Sequence, residues 1–196
     1  MSNFITIIYS LRIRLYELIS AIFVIVFIAN GSIALAELRD SREYAIKASY
    51  IYNFTRFIHW PEEVDRKIND SGLTFCVAGE NPFGKLLAKL EKKYQAKGKK
   101  ILIKYRVSSK EMPECQVLFI DRSENKHLEH ILAQVKGYPV LVVSDTPRFA
   151  ERGVGINLFL RGNKIRFEIN KQAIDRSGLR VSSELLNLAK IVKGGN

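Results

Sequence analysis

The sequence predicts a single α/β domain with a mixed, mostly parallel sheet of about six strands flanked by helices. Three short apolar runs, "LTFCVAG", "CQVLFID" and "PVLVVSD", are typical of strands covered on both faces of a parallel sheet. Helical segments, "GKLLAKLEKKY" and "NKHLEHILAQVK", fall between such runs and give the βα alternation of layered folds. A hairpin makes the sheet mixed, because only "RGN" joins "GINLFL" to "KIRFEIN".

The first 36 residues have the layout of a secretory signal peptide. Arg12 and Arg14 precede the apolar run "LISAIFVIVFIA", and Ala34 and Ala36 occupy the minus-three and minus-one positions of a cleavage site. This run is shorter than the roughly 20 residues that span a bilayer, which favours cleavage after Ala36 and a periplasmic location. The apolar "FITIIY" upstream leaves an uncleaved membrane anchor as the alternative. Cleavage leaves residues 37–196 as one domain.

The segment "DSREYAIKASYIYNFTRFIHWP" predicts a helix of about five turns that ends at Trp60, before a proline. Its apolar side chains occupy two faces. One face carries Tyr44, Ala48, Ile51, Tyr52 and Ile58, and the other carries Tyr50, Phe54 and Phe57. We therefore expect a helix that is either buried on most sides or offers aromatic residues, Phe57 and Trp60 among them, to a partner.

The remaining elements follow from shorter patterns. "KILIKYRV" alternates apolar and basic residues and is expected at an edge of the sheet. "KQAIDRSGL" predicts a short helix that ends near Gly178, and Ser182 and Ser183 are expected to cap the next helix. In that helix, "SSELLNLAKIV", an apolar face is predicted from Leu185, Leu186, Leu188 and Ile191.

Cys76 and Cys115 are the only two cysteines, and both lie in apolar runs that predict buried strands. In an oxidising compartment an even pair is expected to be bridged, and neighbouring strands could bring the two together. We therefore predict a disulfide. Two buried free thiols that pack as small apolar side chains are the alternative.

The formal net charge of +11 indicates acidic partners. In an exported protein this charge favours an acidic lipid surface or an acidic protein rather than nucleic acid. The basic residues are scattered, and the densest cluster, "EKKYQAKGKK", is explained by a solvated helix end and loop.

The stretch "CVAGENPFGKLL" has the GxxxxGK spacing of a phosphate-binding loop. The residue after the lysine is Leu86 where a magnesium-binding hydroxyl is required, and Pro82 has no N–H to donate. A turn from strand to helix explains the glycines better. We expect no cofactor and no enzymatic activity, and no Ser–His–acid triad can be assembled.

His127 and His130 lie three apart on a predicted helix, so both could reach one metal ion. No further ligand motif completes a site, and a charged helix face that includes Glu124 and Glu129 is the simpler explanation. We therefore predict no metal site.

Six blocks of the sequence stand in a characteristic order. They are "SYIYNFTRFIHWP", "CVAGENPFG", "CQVLFI", "PVLVVSDTPRFAERGVGINLFL", "IRFEIN" and "GLRVSSELLNLAK". In order and spacing they resemble the YfiR family of exported bacterial proteins, from Tyr44 to Lys190. The resemblance implies a periplasmic α/β domain that represses an inner-membrane diguanylate cyclase by binding its periplasmic part. It also implies an OmpA-like outer-membrane lipoprotein that relieves the repression by sequestering this protein.

The resemblance also implies roles for individual residues. It supports the Cys76–Cys115 disulfide, whereas a second pair found in some members would fall in "SDTPRFAERGVG", which has no cysteine. Partner and ligand contacts map to Glu168, Arg176 and Arg180. The alternative for Glu168 is a surface ion pair with Arg166 or Lys164.

Three functions are therefore considered. The favoured one is a regulatory binding protein that inhibits a membrane diguanylate cyclase and lowers c-di-GMP output, with a homodimer as a further candidate assembly. The second is a small-ligand sensor or carrier with a pocket between the first helix and residues 168–180. The third is an enzyme, which would need the loop from Gly79 to Lys85 to hold phosphate.

Overall fold

The computed structural model describes residues 41–96 and 100–194. The predicted signal peptide, residues 1–36, and its cleavage site after Ala36 lie outside the described residues. From Glu43 onward the chain forms one compact unit. Among the residues described, no helix combines the length and apolar character needed to cross a membrane.

The chain alternates helices and strands. The strands are β1 (Ile58–His59), β2 (Leu73–Ala78), β3 (Ile101–Tyr105), β4 (Val117–Ile120), β5 (Leu141–Ser144), β6 (Ile156–Arg161), β7 (Lys164–Ile169), β8 (Arg180–Val181) and β9 (Lys190–Ile191). The helices are α1 (41–54 in the described part), α2 (Glu62–Ser71), α3 (Leu86–Gln95), α4 (Leu128–Gln134), α5 (Lys171–Arg176) and α6 (Ser183–Leu188). Two 3-10 turns, Met112–Glu114 and Arg122–Glu124, flank β4.

Seven strands form the main sheet in the order β3-β2-β4-β5-β6-β7-β9. All neighbours are parallel except β6 and β7, which form the predicted antiparallel hairpin. Strands β1 and β8 form a separate antiparallel pair. The predicted mixed, mostly parallel α/β fold is confirmed. The seventh strand is β9, a two-residue edge strand that apolar patterning does not reveal.

The core has two layers because alternate residues of each strand face opposite sides of the sheet. One layer packs α1, α3 and α6 on the sheet through residues such as Ile51, Leu87 and Leu185. The other packs α4 on the opposite face through Leu128 and Ile131. This double coverage explains why β2, β4 and β5 are continuous apolar runs.

The first helix is shorter than predicted, since α1 ends at residue 54 and not at Trp60. Three successive tight turns follow, beginning with the Thr55 N–H donating to the Tyr52 carbonyl, and Ile58 and His59 then pair with β8. Its aromatic second face is largely buried, because Phe54 and Tyr50 pack against Phe167. Broad burial, the first of the two alternatives, therefore describes the helix itself, whereas Phe57 and Trp60 beyond its end are only partly buried.

Two other details differ from the sequence prediction. The polar helix α2 was not anticipated, because none of its residues is buried. The last helix stops at Leu188, and Ile191 lies in β9, so these two side chains are exposed and do not belong to a buried helical face. The predicted edge position of β3 and the Ser182 cap on the Leu185 N–H are both confirmed.

Candidate functional site

Three of the five predicted contact residues, Phe57, Trp60 and Arg180, lie on or next to the small β1–β8 sheet. The Ser182 N–H donates to the Phe57 carbonyl at 2.9 Å, and His59 is the Cα partner of Arg180. Phe57 and Trp60 are partly buried against the core, whereas Arg180 is exposed. The backbone of this sheet therefore carries Arg180, and the two partly buried aromatic residues flank its first strand in the chain.

A cavity of about 370 Å³ adjoins Trp60. It lies between the end of α1, helix α2 and the starts of β2 and β3. Its lining includes Tyr52, Arg56, Trp60, Asp65, Ile68, Asn69, Asp70 and Lys100. The Trp60 Nε1 is buried and has no hydrogen-bond partner among the described residues. Such a donor is costly to leave unpaired, so it is a natural contact for a ligand acceptor.

The cavity is lined by side chains of both charges and by one stacked tyrosine. Arg56 and Lys100 contribute cations, and Asp65 and Asp70 contribute carboxylates. Tyr52 stacks on Tyr94 with ring centroids 3.7 Å apart, and burial raises the pKa of the Tyr52 hydroxyl. The arrangement suits a small molecule with an acceptor group, an apolar part and one or both charges.

Glu168 lies on β7, but its partner is neither Arg166 nor Lys164. Lys190 of β9 donates to its carboxylate at 2.8 Å, and this hydrogen bond raises the pKa of the Lys190 ammonium. Lys190 is also the Cα partner of Glu168 in the parallel β7–β9 pair. The ion pair therefore ties the last strand to the sheet.

Arg176 ends α5 and lines a second cavity, of about 300 Å³, between α5 and α4. Neither this cavity nor the one beside Trp60 includes Glu168 or Arg180. The structure therefore does not place either described cavity where the sequence predicted a pocket, between α1 and residues 168–180.

Arg152 fixes the loop of residues 144–155, which contains no cysteine. Its guanidinium donates to Glu129 at 2.7 Å and to the Asn125 side chain at 2.5 Å. The hydrogen bond from Arg152 to Glu129 lowers the pKa of the Glu129 carboxyl. The guanidinium thus links this loop to α4 without a covalent bridge.

A buried polar cluster fixes α1 on the carboxyl end of β5. Lys47 Nζ donates to Asp145 Oδ2 at 2.6 Å and lies 2.5 Å from Glu43 Oε1. The side chains of Lys47 and Asp145 are only 5% and 7% exposed. Tyr44 is hydrogen-bonded to Asp145, and burial followed by the charge of Asp145 raises the pKa of its hydroxyl. Sequence reasoning missed this cluster, because its partners are 98 residues apart.

Cys76 and Cys115 are joined by a disulfide, with Cα atoms 6.0 Å apart. The bond connects the middle of β2 to the residues that lead into β4, and both cysteines are buried. Bridging, and not a pair of free thiols, is therefore the arrangement in the structure.

The glycine loop is the predicted turn between β2 and α3. The Glu80 N–H donates to Ser123 Oγ, and the Phe83 N–H donates to Asn81 Oδ1. Two backbone donors that a phosphate would require are thus already used. His127 Nδ1 lies 3.0 Å from Glu124 Oε2, and no group of three or more potential ligands is arranged around a metal position within the described ranges.

The residues that sequence reasoning missed are mainly those of α2 and Lys100, which form one wall of the cavity beside Trp60. Proline followed by Glu62 and Glu63 is the helix-start signal that could have located α2.

Two solved structures show weak likeness to this chain. One is a conserved domain protein from Vibrio cholerae O1 biovar eltor strain N16961, with 15% identity, a TM-score of 0.47 and coverage of 67% of this chain. The other is an ABC domain in complex with L-Trp from Streptococcus pneumoniae, with 9% identity, a TM-score of 0.46 and coverage of 61%. The chain spans 58% and 55% of those two chains.

The family comparison is specific. The model of the YfiR/HmsC-like family matches residues 44–190, which include every described strand from β1 to β8, the disulfide and the three predicted contact residues on or next to the β1–β8 pair. The chain is therefore a member of the YfiR/HmsC-like family.

Proposed function

We propose that the protein is a periplasmic regulatory binding protein that inhibits an inner-membrane diguanylate cyclase by binding its periplasmic part. Membership of the YfiR/HmsC-like family over residues 44–190 carries this proposal, since it suggests a non-catalytic regulator of c-di-GMP signalling. The bridged cysteines agree with an oxidising compartment.

The β1–β8 sheet is the proposed contact surface. Arg180 supplies an exposed guanidinium, and Phe57 and Trp60 supply partly buried aromatic surface. Arginine and aromatic residues often contribute most of the binding free energy of protein interfaces. They do so where close packing excludes water from the contact.

Inhibition requires only differential affinity. A regulator that binds the inactive arrangement of the cyclase more tightly shifts its population by that difference, without contacting the nucleotide. An OmpA-like outer-membrane lipoprotein that competes for the same surface would restore cyclase activity.

Cellular c-di-GMP in a host that carries the cognate cyclase tests the proposal. Deletion of the gene should raise c-di-GMP, and wild-type protein should restore the original level. Arg180→Glu should fail to restore it, whereas Arg161→Glu, an exposed arginine of the β6–β7 hairpin, serves as the matched control. Unchanged c-di-GMP after deletion would refute the proposal.

A second candidate function is a small-ligand sensor, and the cavity beside Trp60 favours it. Its unpaired indole N–H and its mixed charges would contact a small molecule with an apolar part, such as an amino acid or an aromatic metabolite.

Calorimetry against a panel of these compounds checks this function. Heat should appear with the wild-type protein and disappear with Trp60→Phe, which keeps an aromatic ring but removes the N–H. Absence of heat across the panel argues against a sensor.

A further inference from the structure

The positive charge of the protein is concentrated in one short segment. Residues 85–110 contain ten of the 31 Lys and Arg residues but only one of the 20 Asp and Glu residues. This segment therefore carries a net +9 of the total +11, and the rest of the chain is nearly neutral. The prediction that the basic residues are scattered is therefore wrong, because most of the net positive charge lies in this one segment.

The fold brings this segment to one flank. Helix α3 packs against β3, and β3 is the outer edge of the seven-stranded sheet. Lys85, directly before α3, and Lys89, Lys92 and Lys93 on α3 recur at helical spacing and are exposed. Lys100, Arg106 and Lys110 before and after β3 are exposed as well. We call these seven residues, with the exposed β3 side chains Leu102 and Tyr105, the basic flank.

The cations of the basic flank form no close ion pairs among the described residues. None of its seven cations lies within 4.0 Å of a carboxylate in the described part of the chain, although nearby Lys104 pairs with Glu114. Two large side chains of β3 are also exposed, Leu102 at 50% and Tyr105 at 41%. Tyrosine is favoured at membrane–water interfaces, where one end is apolar and the other is wet.

The predominance of lysine over arginine among these cations indicates which kind of anionic partner fits the basic flank. Six of the seven are lysines, which are compact, strongly hydrated point charges without the planar fork that pairs bidentately with a carboxylate or phosphate. A dense field of lysines beside exposed apolar residues matches a diffuse anionic surface better than a defined partner site.

We propose that the basic flank docks the protein on anionic phospholipid headgroups. Docking would hold the α3–β3 side against the bilayer. The protein would then stay close to the membrane surface, where the external domains of membrane proteins lie. The inference goes beyond the proposed function and requires no particular protein partner.

Vesicle co-sedimentation tests the proposal, with the protein recovered from the periplasmic fraction of expressing cells. Binding to phosphatidylglycerol vesicles should exceed binding to phosphatidylcholine vesicles. It should also weaken from about 0.05 M to about 1 M salt, because the screening length shortens from more than 10 Å to about 3 Å.

The decisive variant is Lys89→Gln/Lys92→Gln/Lys93→Gln, because glutamine preserves helix propensity while it removes three charges. Each lysine near an anionic surface contributes about fivefold, so binding should weaken about 100-fold. The matched control, Lys126→Gln/Lys164→Gln/Lys193→Gln, removes the same charge from exposed positions outside the flank and should bind almost as wild type.

Three results would overturn the proposal. They are no preference for phosphatidylglycerol, an equal loss in the two triple variants, or binding to a polyglutamate peptide without binding to vesicles. The last result would assign the flank to an acidic protein. None of these readouts depends on c-di-GMP, so failure here is distinct from failure of the regulatory function.

Discussion

Replacing Lys47 with Met should destabilise the fold by about 3 to 5 kcal/mol, because it removes the one cation of a buried cluster. Lys47 Nζ lies 2.6 Å from Asp145 Oδ2 and 2.5 Å from Glu43 Oε1. Without it, the carboxylate of Asp145 stays buried beside a second negative charge. Since the free energy of unfolding of native domains is about 5 to 15 kcal/mol, this loss would remove a large part of the stability.

Urea denaturation under oxidising conditions measures this loss, with the fluorescence of Trp60, the single tryptophan, as the probe. Lys126→Met is the control, because Lys126 is exposed and should change stability by less than about 0.5 kcal/mol. The double variant Lys47→Met/Asp145→Leu should recover much of the loss, because an apolar pair can replace a buried ion pair at little cost. A loss below about 1 kcal/mol for Lys47→Met would refute the reasoning.

Three further predictions concern other contacts. The Cys76→Ala/Cys115→Ala variant should lose about 4 kcal/mol in denaturant unfolding, the loop-closure value for a separation of 39 residues; an unchanged midpoint on reduction of the wild type would contradict this. Folding raises the pKa of the Tyr44 hydroxyl, so the contribution of this group to the free energy of unfolding is complete below about pH 10 and is lost as the pH rises further. Tyr44→Phe should therefore make the fall of stability at alkaline pH shallower, by at most about 1.4 kcal/mol per pH unit. Identical profiles of stability against pH for the two proteins would refute this. Arg106 has a φ of 52°, so Arg106→Gly should raise the thermal midpoint, by up to about 1 kcal/mol in stability, and Arg106→Val should lower it; equal midpoints would show that no strain exists there.

The parts of the fold that sequence predicted are those fixed by local pattern. The runs around Phe75, Phe119 and Val143 are apolar on both faces because helices cover both sides of the sheet. The hairpin was predictable because Gly162, with a φ of 60°, adopts the left-handed conformation that a two-residue loop requires.

The parts that sequence did not predict depend on partners distant in the chain. Strands β1, β8 and β9 have two residues each, which is too short for a period of two to be visible. The early end of α1 follows from pairing of Ile58 with Val181, more than 100 residues away. The resemblance indicated Glu168, Arg176 and Arg180, and the aromatic pattern of the first helix indicated Phe57 and Trp60. In the structure Phe57, Trp60 and Arg180 lie on or next to the β1–β8 pair, whereas Glu168 pairs with Lys190 and Arg176 lines a separate cavity.

The position of β9 has a practical consequence for handling the protein. Its backbone covers the outer side of β7, and the Val192 N–H still donates to the Ile169 carbonyl. Truncating the chain before Lys190 would uncover a flat row of backbone donors and acceptors, which invites strand exchange between molecules and precipitation. Affinity tags at the carboxyl end should therefore leave residues 190–192 intact and include a spacer.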